Sequence, residues 1–260
     1  MHAAEREQLI LHLMQERGFI GFKELDQRID ASPATLRRDL DRLESEGRIV
    51  RVRGGARLAG VEAEPEPEHL SGVPFHDNIG RQPLQKAAIG RAAAALCKPG
   101  EAVIIDGGST TLQMCPHLAP LGLQVLTNSL HIVSALLPQP KTRITLPGGQ
   151  VFREQNIVLS TFDEDGAGRY HATRMFMGAE AVGRHGVMQS DVLLVQGERR
   201  LLGRADEIVV LVDSSKFAAS AGHVVCTLDE VAVLVTDDGI PDAAAQYVEQ
   251  AGVKLVVAKV

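Results

Sequence analysis

The 260-residue sequence contains no Trp, two Tyr and seven Phe, so aromatic residues make up only 3% of it. Hydrophobic residues still account for 45%, and the core must therefore be built from Ala, Val, Leu and Ile, as in α/β folds. No apolar run approaches the ~20 residues of a membrane-spanning helix. Residues 1–8 are charged and lack the apolar core of a signal peptide. The expectation is a cytoplasmic protein with no membrane partner. Cysteine is sparse: Cys97, Cys115 and Cys226 lie far apart, with no CxxC, which excludes a disulfide framework and a zinc ribbon. The nine His show no HxxxH or HxH spacing, so no metal site is expected. Neither a Walker motif nor GxGxxG occurs, which argues against a nucleotide cofactor; no cofactor is expected.

Acidic charge prevails overall, with a net −6, but it is unevenly spread. Residues 1–60 hold 11 Lys+Arg and 10 Asp+Glu, a net +1; residues 61–260 hold 16 and 23, a net −7. Between Pro33 and Leu58 there are seven Arg against four acids. A local basic surface matters more to a polyanionic partner than the charge of the whole chain.

Composition shifts at residues 59–72. The stretch Glu62-Ala63-Glu64-Pro65-Glu66-Pro67-Glu68 is acidic and Pro-rich, with nothing to bury, and reads as an extended linker. It separates a module at 1–58 from a larger domain at 73–260. In that domain seven apolar runs begin at Ala102, Gln124, Arg143, Arg174, Ile208, Val231 and Lys254, and alternate with Ala- and Leu-rich helical stretches. Continuous apolar strands separated by helices predict a mostly parallel sheet covered on both faces.

In the first module Leu9, Ile10, Leu13 and Met14 recur at helical spacing, and the helix they form ends near Gly18. Phe22, Leu25 and Ile29 mark a second, short helix. A third follows Ser32-Pro33: Ser is a good N-cap, and Pro suits the first helical position, where its missing N–H costs nothing. Leu36, Leu40 and Leu43 share one face of it, and Gly47 stops it. Two short helices joined by a tight turn make a helix-turn-helix. The start of the second such helix, from Ser32 on, is expected on the DNA, with Ala34, Thr35 and Arg38 nearest the bases and Arg37 and Arg42 on phosphates. The alternative is a solvated charged face, with Arg38 and Arg42 pairing Asp39 and Asp41 along one helix. Ile49-Val50-Arg51-Val52-Arg53 then alternates as a strand, Gly54-Gly55 can turn, and Ala56-Arg57-Leu58 returns. This hairpin offers Arg51, Arg53 and Arg57 to a nucleic-acid backbone.

Residues 5–58 resemble the DNA-binding domain of the DeoR family of bacterial transcription regulators. The run Ser32-Pro33-Ala34-Thr35-Leu36-Arg37-Arg38-Asp39-Leu40, followed by Arg51-Val52-Arg53-Gly54-Gly55-Ala56, carries the resemblance, supported by Arg6, Glu24-Leu25 and Leu43-Glu44. It implies a winged helix-turn-helix bound to double-stranded operator DNA.

The larger domain has four segments of small and hydroxylated residues after apolar runs: Asp106-Gly107-Gly108-Ser109-Thr110-Thr111, Thr127-Asn128-Ser129, Pro147-Gly148-Gly149 and Asp213-Ser214-Ser215-Lys216. Each alone is an ordinary strand-to-helix turn. All four are expected at the carboxyl ends of parallel strands, where open α/β sheets bind ligands, and together they make a rim suited to phosphate.

Residues 73–257 resemble the C-terminal sensor of the same family, a fold related to ribose-5-phosphate isomerase. The segment 86–93, the four segments above, and Met177-Gly178-Ala179-Glu180 carry this match. The resemblance implies a phosphorylated sugar or sugar-acid effector, with Gly107 to Thr111 as the phosphate loop and Lys86 and Lys216 as countercharges. Two departures stand out. Gly178-Ala179-Glu180-Ala181 replaces the usual Gly-Ala-Asp-Gly, and Met188-Gln189-Ser190-Asp191-Val192 replaces a Glu-rich helix start.

Three functions compete: a ligand-gated DNA regulator, a sugar-phosphate isomerase with an N-terminal extension, and an architectural DNA binder. An isomerase needs a base near the substrate α-carbon and electrophilic support. In the related isomerases an acidic loop with a nearby Lys supplies both, and here Glu180 stands alone in that loop, so no catalytic residue is assigned. An architectural protein has no need of a large acidic α/β domain. The expected protein is a repressor of a sugar or sugar-acid catabolic operon, a homodimer or homotetramer, with the effector acting on its DNA modules through residues 59–72.

Overall fold

Ser32 caps a helix as its sequence predicts: its Oγ accepts a hydrogen bond from the Thr35 amide at 3.2 Å, and Pro33 takes the first helical position. The computed structural model describes residues 2–17, 19–29, 31–52, 55–59, 70, 72–160 and 166–260. The chain divides into two units, residues 1–67 and 68–260. The first unit contains helix α1 (Ala3–Arg17), strand β1 (Phe19–Gly21), helices α2 (Phe22–Arg28) and α3 (Pro33–Ser45), and strands β2 (Ile49–Val52) and β3 (Gly55–Leu58). Leu36, Leu40 and Leu43 of α3 are buried against Ile10, Met14, Leu25 and Ile49. Each such side chain removed from water contributes about 1.5–3 kcal/mol before conformational entropy is counted. Gly47, at φ +68°, ends α3 in a left-handed conformation that glycine adopts without strain.

Strands β2 and β3 pair antiparallel, with Arg51 opposite Ala56, as the expected hairpin. The structure adds β1 on the far edge of β3, giving the order β1-β3-β2. Three residues are too few to show alternation, so this strand was not expected. Arg53 and Gly54 lie outside the described residues, as does most of the expected linker. Of the described part of that linker, Leu70 is buried with Phe152, Ile157 and Leu159 of the second unit.

The second unit runs α4 (Phe75–Ile79), α5 (Pro83–Ala94), β4 (Ala102–Ile105), β5 (Gln124–Leu126), α6 (Leu130–Leu136), β6 (Arg143–Thr145), β7 (Gln150–Phe152) and β8 (Ile157–Leu159). It continues with β9 (Ala172–Met177), β10 (Ala181–Gly183), β11 (Gly186–Gln189), α7 (Val192–Leu202), β12 (Ala205–Leu211), β13 (His223–Cys226), β14 (Val233–Asp237), α8 (Asp242–Gln250) and β15 (Lys254–Ala258). The seven apolar runs form one seven-stranded sheet in the order β15-β14-β12-β9-β4-β5-β6, with every neighbouring pair parallel. Both faces are covered. Val103, Ile105, Phe176, Val209 and Leu211 pack into one apolar layer, and Ile104, Met175, Met177, Val210 and Val212 into the other. This two-residue alternation within runs that are apolar throughout is what a doubly covered parallel strand requires. A hairpin, β7–β8, and a small antiparallel sheet, β10-β11-β13, were not expected. Among the described residues no helix is long and apolar enough to cross a membrane.

Strand order reverses between β4 and β9. From β4 the chain proceeds outward to β5 and β6, and from β9 outward to β12, β14 and β15. The segments leaving these two neighbours diverge, which opens a crevice at their carboxyl ends.

Candidate functional site

On the first unit, α3 presents a surface whose residues differ sharply in what holds them. Arg38 is exposed, and no acid among the described residues pairs with it. Arg37 lies over the Phe22 ring, 5.4 Å from its centroid. Arg42 pairs with Glu7 of α1 and stands 3.8 Å from Asp39, and Arg51 pairs with Asp41. Asp39 itself is buried and clasped by Arg6 of α1, whose Nε and Nη2 donate at 2.7 and 3.2 Å. The hydrogen bonds that Asp39 accepts raise the Arg6 pKa further above its already high value. Of the same-helix Arg–Asp pairs weighed above, only Arg42–Asp39 forms, and Asp41 turns to the hairpin instead. The Ser32 and Thr35 hydroxyls bond one another at 2.8 Å at the exposed start of α3, beside exposed Ala34. Arg57 lies on β3, but its side chain, like Arg53, falls outside the described residues.

In the second unit a cavity lies at the switch point between β4 and β9. Asp106, Gly107, Gly108, Ser109 and Thr110 line it from the end of β4, Glu180 follows β9, and Lys216 follows β12. The amides of Gly108, Ser109 and Thr110 donate to no acceptor among the described residues, and neither do the Ser109 and Thr110 hydroxyls. These unused donors beside an ammonium suit a multiply charged oxyanion. The Gly107 amide is occupied: it donates at 2.8 Å to Asn128 Oδ1, while Asn128 Nδ2 donates at 2.8 Å to Asp106 Oδ1. A Cβ at Gly107 would stand 2.5 Å from Ile157 Cγ2, so the close approach of β8 requires glycine there.

Other expected residues serve as supports. Thr111 Oγ1 turns inward, donating to Asp106 O at 2.8 Å and Gly108 O at 3.0 Å. Thr127 Oγ1 accepts from the Ser129 amide, and Ser129 Oγ caps α6 through the Ile132 amide. Gly148 and Gly149 do not line the cavity, and a Cβ on Gly149 would meet the Leu159 carbonyl at 2.3 Å. Lys86 is neither an exposed helix residue nor a lining one. It is 1% exposed, and its Nζ donates to Asn78 O at 2.5 Å and Asn78 Oδ1 at 3.3 Å. Burial, opposed by the charge of Asp213 and helped by those of Lys216 and Arg81, lowers its pKa to about 8. Asn78 lines the cavity, so Lys86 stands one residue behind the cavity wall.

Sequence reasoning missed several lining residues, among them Asn78, Gln155 and Glu198. Both departures from the family pattern reach the cavity. Glu180 Oε2 accepts from the Ser190 amide at 3.0 Å and from its hydroxyl, and Gln189 Nε2 donates to Glu198 Oε1 at 2.6 Å. Glu198 stands against Asp106. Burial, then the charge of Asp106, raises the Glu198 carboxyl well above the usual range. Asp106 is pushed up by burial to about 6, held back by its bonds from Asn128 and Gly107. Cys97, Cys115 and Cys226 are buried, and burial pushes each thiol up to about 12.

Two family models match the chain: a DeoR-like helix-turn-helix domain over residues 6–60 and a DeoR C terminal sensor domain over residues 81–238. The chain is 30% identical over 258 residues to the HTH-type transcriptional regulator UlaR of Shigella dysenteriae serotype 1, covering 98% of this chain and 99% of that one. It has the same identity and coverage to UlaR of Escherichia coli strain K12 / DH10B. Among solved structures, ribose 5-phosphate isomerase A from Methanocaldococcus jannaschii is similar with a TM-score of 0.38 and 18% identity, over 51% of this chain and 53% of that one.

Proposed function

The chain belongs to the DeoR family of DNA-binding transcriptional regulators, and on that premise we propose that it is a repressor whose hold on operator DNA is controlled by a phosphorylated sugar-type effector. The observation that carries the effector half is the set of unused donors at the cavity: the amides of Gly108, Ser109 and Thr110, two hydroxyls, and Lys216. A phosphate on this loop leaves the rest of the ligand to face Glu180, Gln189 and Asn78. The DNA half rests on α3, with Arg38 aimed at base edges and Arg37, Arg42 and the hairpin arginines at phosphates.

The protein acts as a homodimer or homotetramer, because one winged helix buries too little surface for tight, specific binding, and paired half-sites multiply it. The effector changes DNA affinity only to the extent that it binds the DNA-competent and released states differently. The target is an operon for breakdown of a sugar or sugar acid, induced when its phosphorylated product accumulates. Thermal melts with a panel of sugar phosphates, each beside its unphosphorylated parent, test the effector assignment. A melting temperature raised by a phosphorylated member alone supports it. A rise with the parent sugar, or with no member, overturns it.

A further inference from the structure

Glu198 is an oddity in the cavity wall. It is 4% exposed, and no donor among the described residues reaches its Oε2, although Oε1 accepts from Gln189. An orphaned, buried carboxyl oxygen is costly unless the group carries a proton or meets a ligand. Its neighbour is another carboxyl, Asp106, 3% exposed and already accepting from Asn128. Two such groups in contact hold one proton between them, leaving a single negative charge. Glu180 adds a third carboxyl to the same cavity, against Lys216 as the lining cation.

We infer that Glu198 and Asp106 act as a specificity-determining pair that admits a neutral hydroxylated chain beyond the phosphate and rejects a carboxylate there. The inference deepens the effector reading above and rests on it. Hydroxyl groups can donate to this acceptor-rich wall. A ligand carboxylate brings only acceptors and a charge of the wrong sign, and at close range in a partly buried site the repulsion is worth more than a factor of ten in affinity.

The groups facing Glu198 are few. Asp106 follows β4, Gln189 lies on β11, and the Cys226 thiol on β13 senses its charge. Arg199 of the same helix donates to Val225 O, and β8 offers only aliphatic side chains. The acids of β12 are engaged elsewhere, Glu207 with Arg174 and Asp206 with His171.

The test uses the full-length protein and three probes followed by NMR titration: inorganic phosphate, glycerol 3-phosphate and 3-phosphoglycerate. The last two differ in having a hydroxymethyl or a carboxylate at the end remote from the phosphate. At neutral pH the parent protein is expected to bind glycerol 3-phosphate at least about tenfold more tightly than 3-phosphoglycerate. In the double variant Asp106→Asn/Glu198→Gln, which removes the charge that the pair shares, the ratio is expected to fall below about threefold. A second arm needs no variant: in the parent, the ratio should shrink toward pH 5 as Asp106 also gains a proton, because both probes share the titration of their phosphates. A ratio near one in the parent, or an unchanged ratio in both the variant and the acid arm, overturns the assignment of the Glu198–Asp106 pair alone. Failure of inorganic phosphate to bind the parent overturns the phosphate loop, and this inference with it.

Discussion

Asn128 grips Asp106 through two bonds at once: its Nδ2 donates to the Asp106 carboxylate at 2.8 Å, and its Oδ1 accepts the Gly107 amide at 2.8 Å. One side chain from the end of β5 thus fixes both the acid and the backbone at the start of the loop from β4. Replacing Asn128 by Ala is expected to destabilise the second unit by about 1–3 kcal/mol, since it takes one donor from the buried Asp106 carboxyl and the acceptor from the Gly107 amide. It should also weaken phosphate binding, because the loop loses its brace. Denaturant unfolding and phosphate titration of the same variant check both effects.

Arg38 and its neighbours should separate by role. Arg38→Ala is expected to cost about 1–3 kcal/mol in operator affinity and to relax preference at one base position. Arg42→Ala and Arg51→Ala should weaken binding less and equally on all DNA, since these side chains are already paired with Glu7 and Asp41. Binding to a set of operator variants at fixed salt decides it. Equal loss on every sequence would make Arg38 a phosphate contact.

The pair Asp106–Glu198 makes stability depend on pH. Both carboxyls are raised in the folded protein, so the folded state binds more protons than the unfolded one. Their contribution is fully present below the ordinary carboxyl range, about pH 4, and is lost as pH rises through about 6. Thermal melts of the parent and Glu198→Gln should therefore diverge across this window, with the variant losing less stability as pH rises. Parallel curves would contradict the shared proton. His131, lowered by burial and by His76, titrates in both proteins and cancels in the comparison.

Gly90 supports the loop from behind. A Cβ there would lie 2.4 Å from the Gln113 carbonyl carbon, in the 3-10 helix that follows the loop. Gly90→Ala gains helix propensity of up to about 1 kcal/mol, but overpacking of this contact costs about 1–3 kcal/mol. The net expectation is a lower melting temperature, read by calorimetry; a higher one would mean that the 3-10 helix yields freely.

Much of this architecture was legible in the residues. Val103-Ile104-Ile105 and Ile208-Val209-Val210-Leu211 announce strands buried on both faces, because no polar residue interrupts them. Ser32-Pro33 announces a helix start because capping is local chemistry. The loop at Gly107–Thr110 was readable for the same reason. Elements whose identity depends on distant partners were not. Phe19-Ile20-Gly21 becomes a strand only because β3 offers it an edge. Glu198, within Gly197-Glu198-Arg199-Arg200, looks like part of a solvated charged helix, and only the packing of α7 against β11 and β13 turns it inward. Lys86 resembles an ordinary helix surface residue until α4 and Asn78 cover it. Gly148-Gly149 matched the pattern of a ligand turn, yet the glycine at 149 answers to the backbone of Leu159 instead.

The proposed regulator reads DNA with α3 and a phosphorylated ligand with the loop after β4. Fluorescence-anisotropy titration onto the DNA upstream of its own gene tests it most directly, against random DNA at fixed salt, with a panel of sugar and sugar-acid phosphates. Preference for the upstream DNA is expected, with a large loss of affinity with one panel member and no such loss in Ser109→Ala/Thr110→Ala, which should still bind the DNA. Equal binding to random DNA under every condition, or a double variant that responds as the parent does, would contradict it.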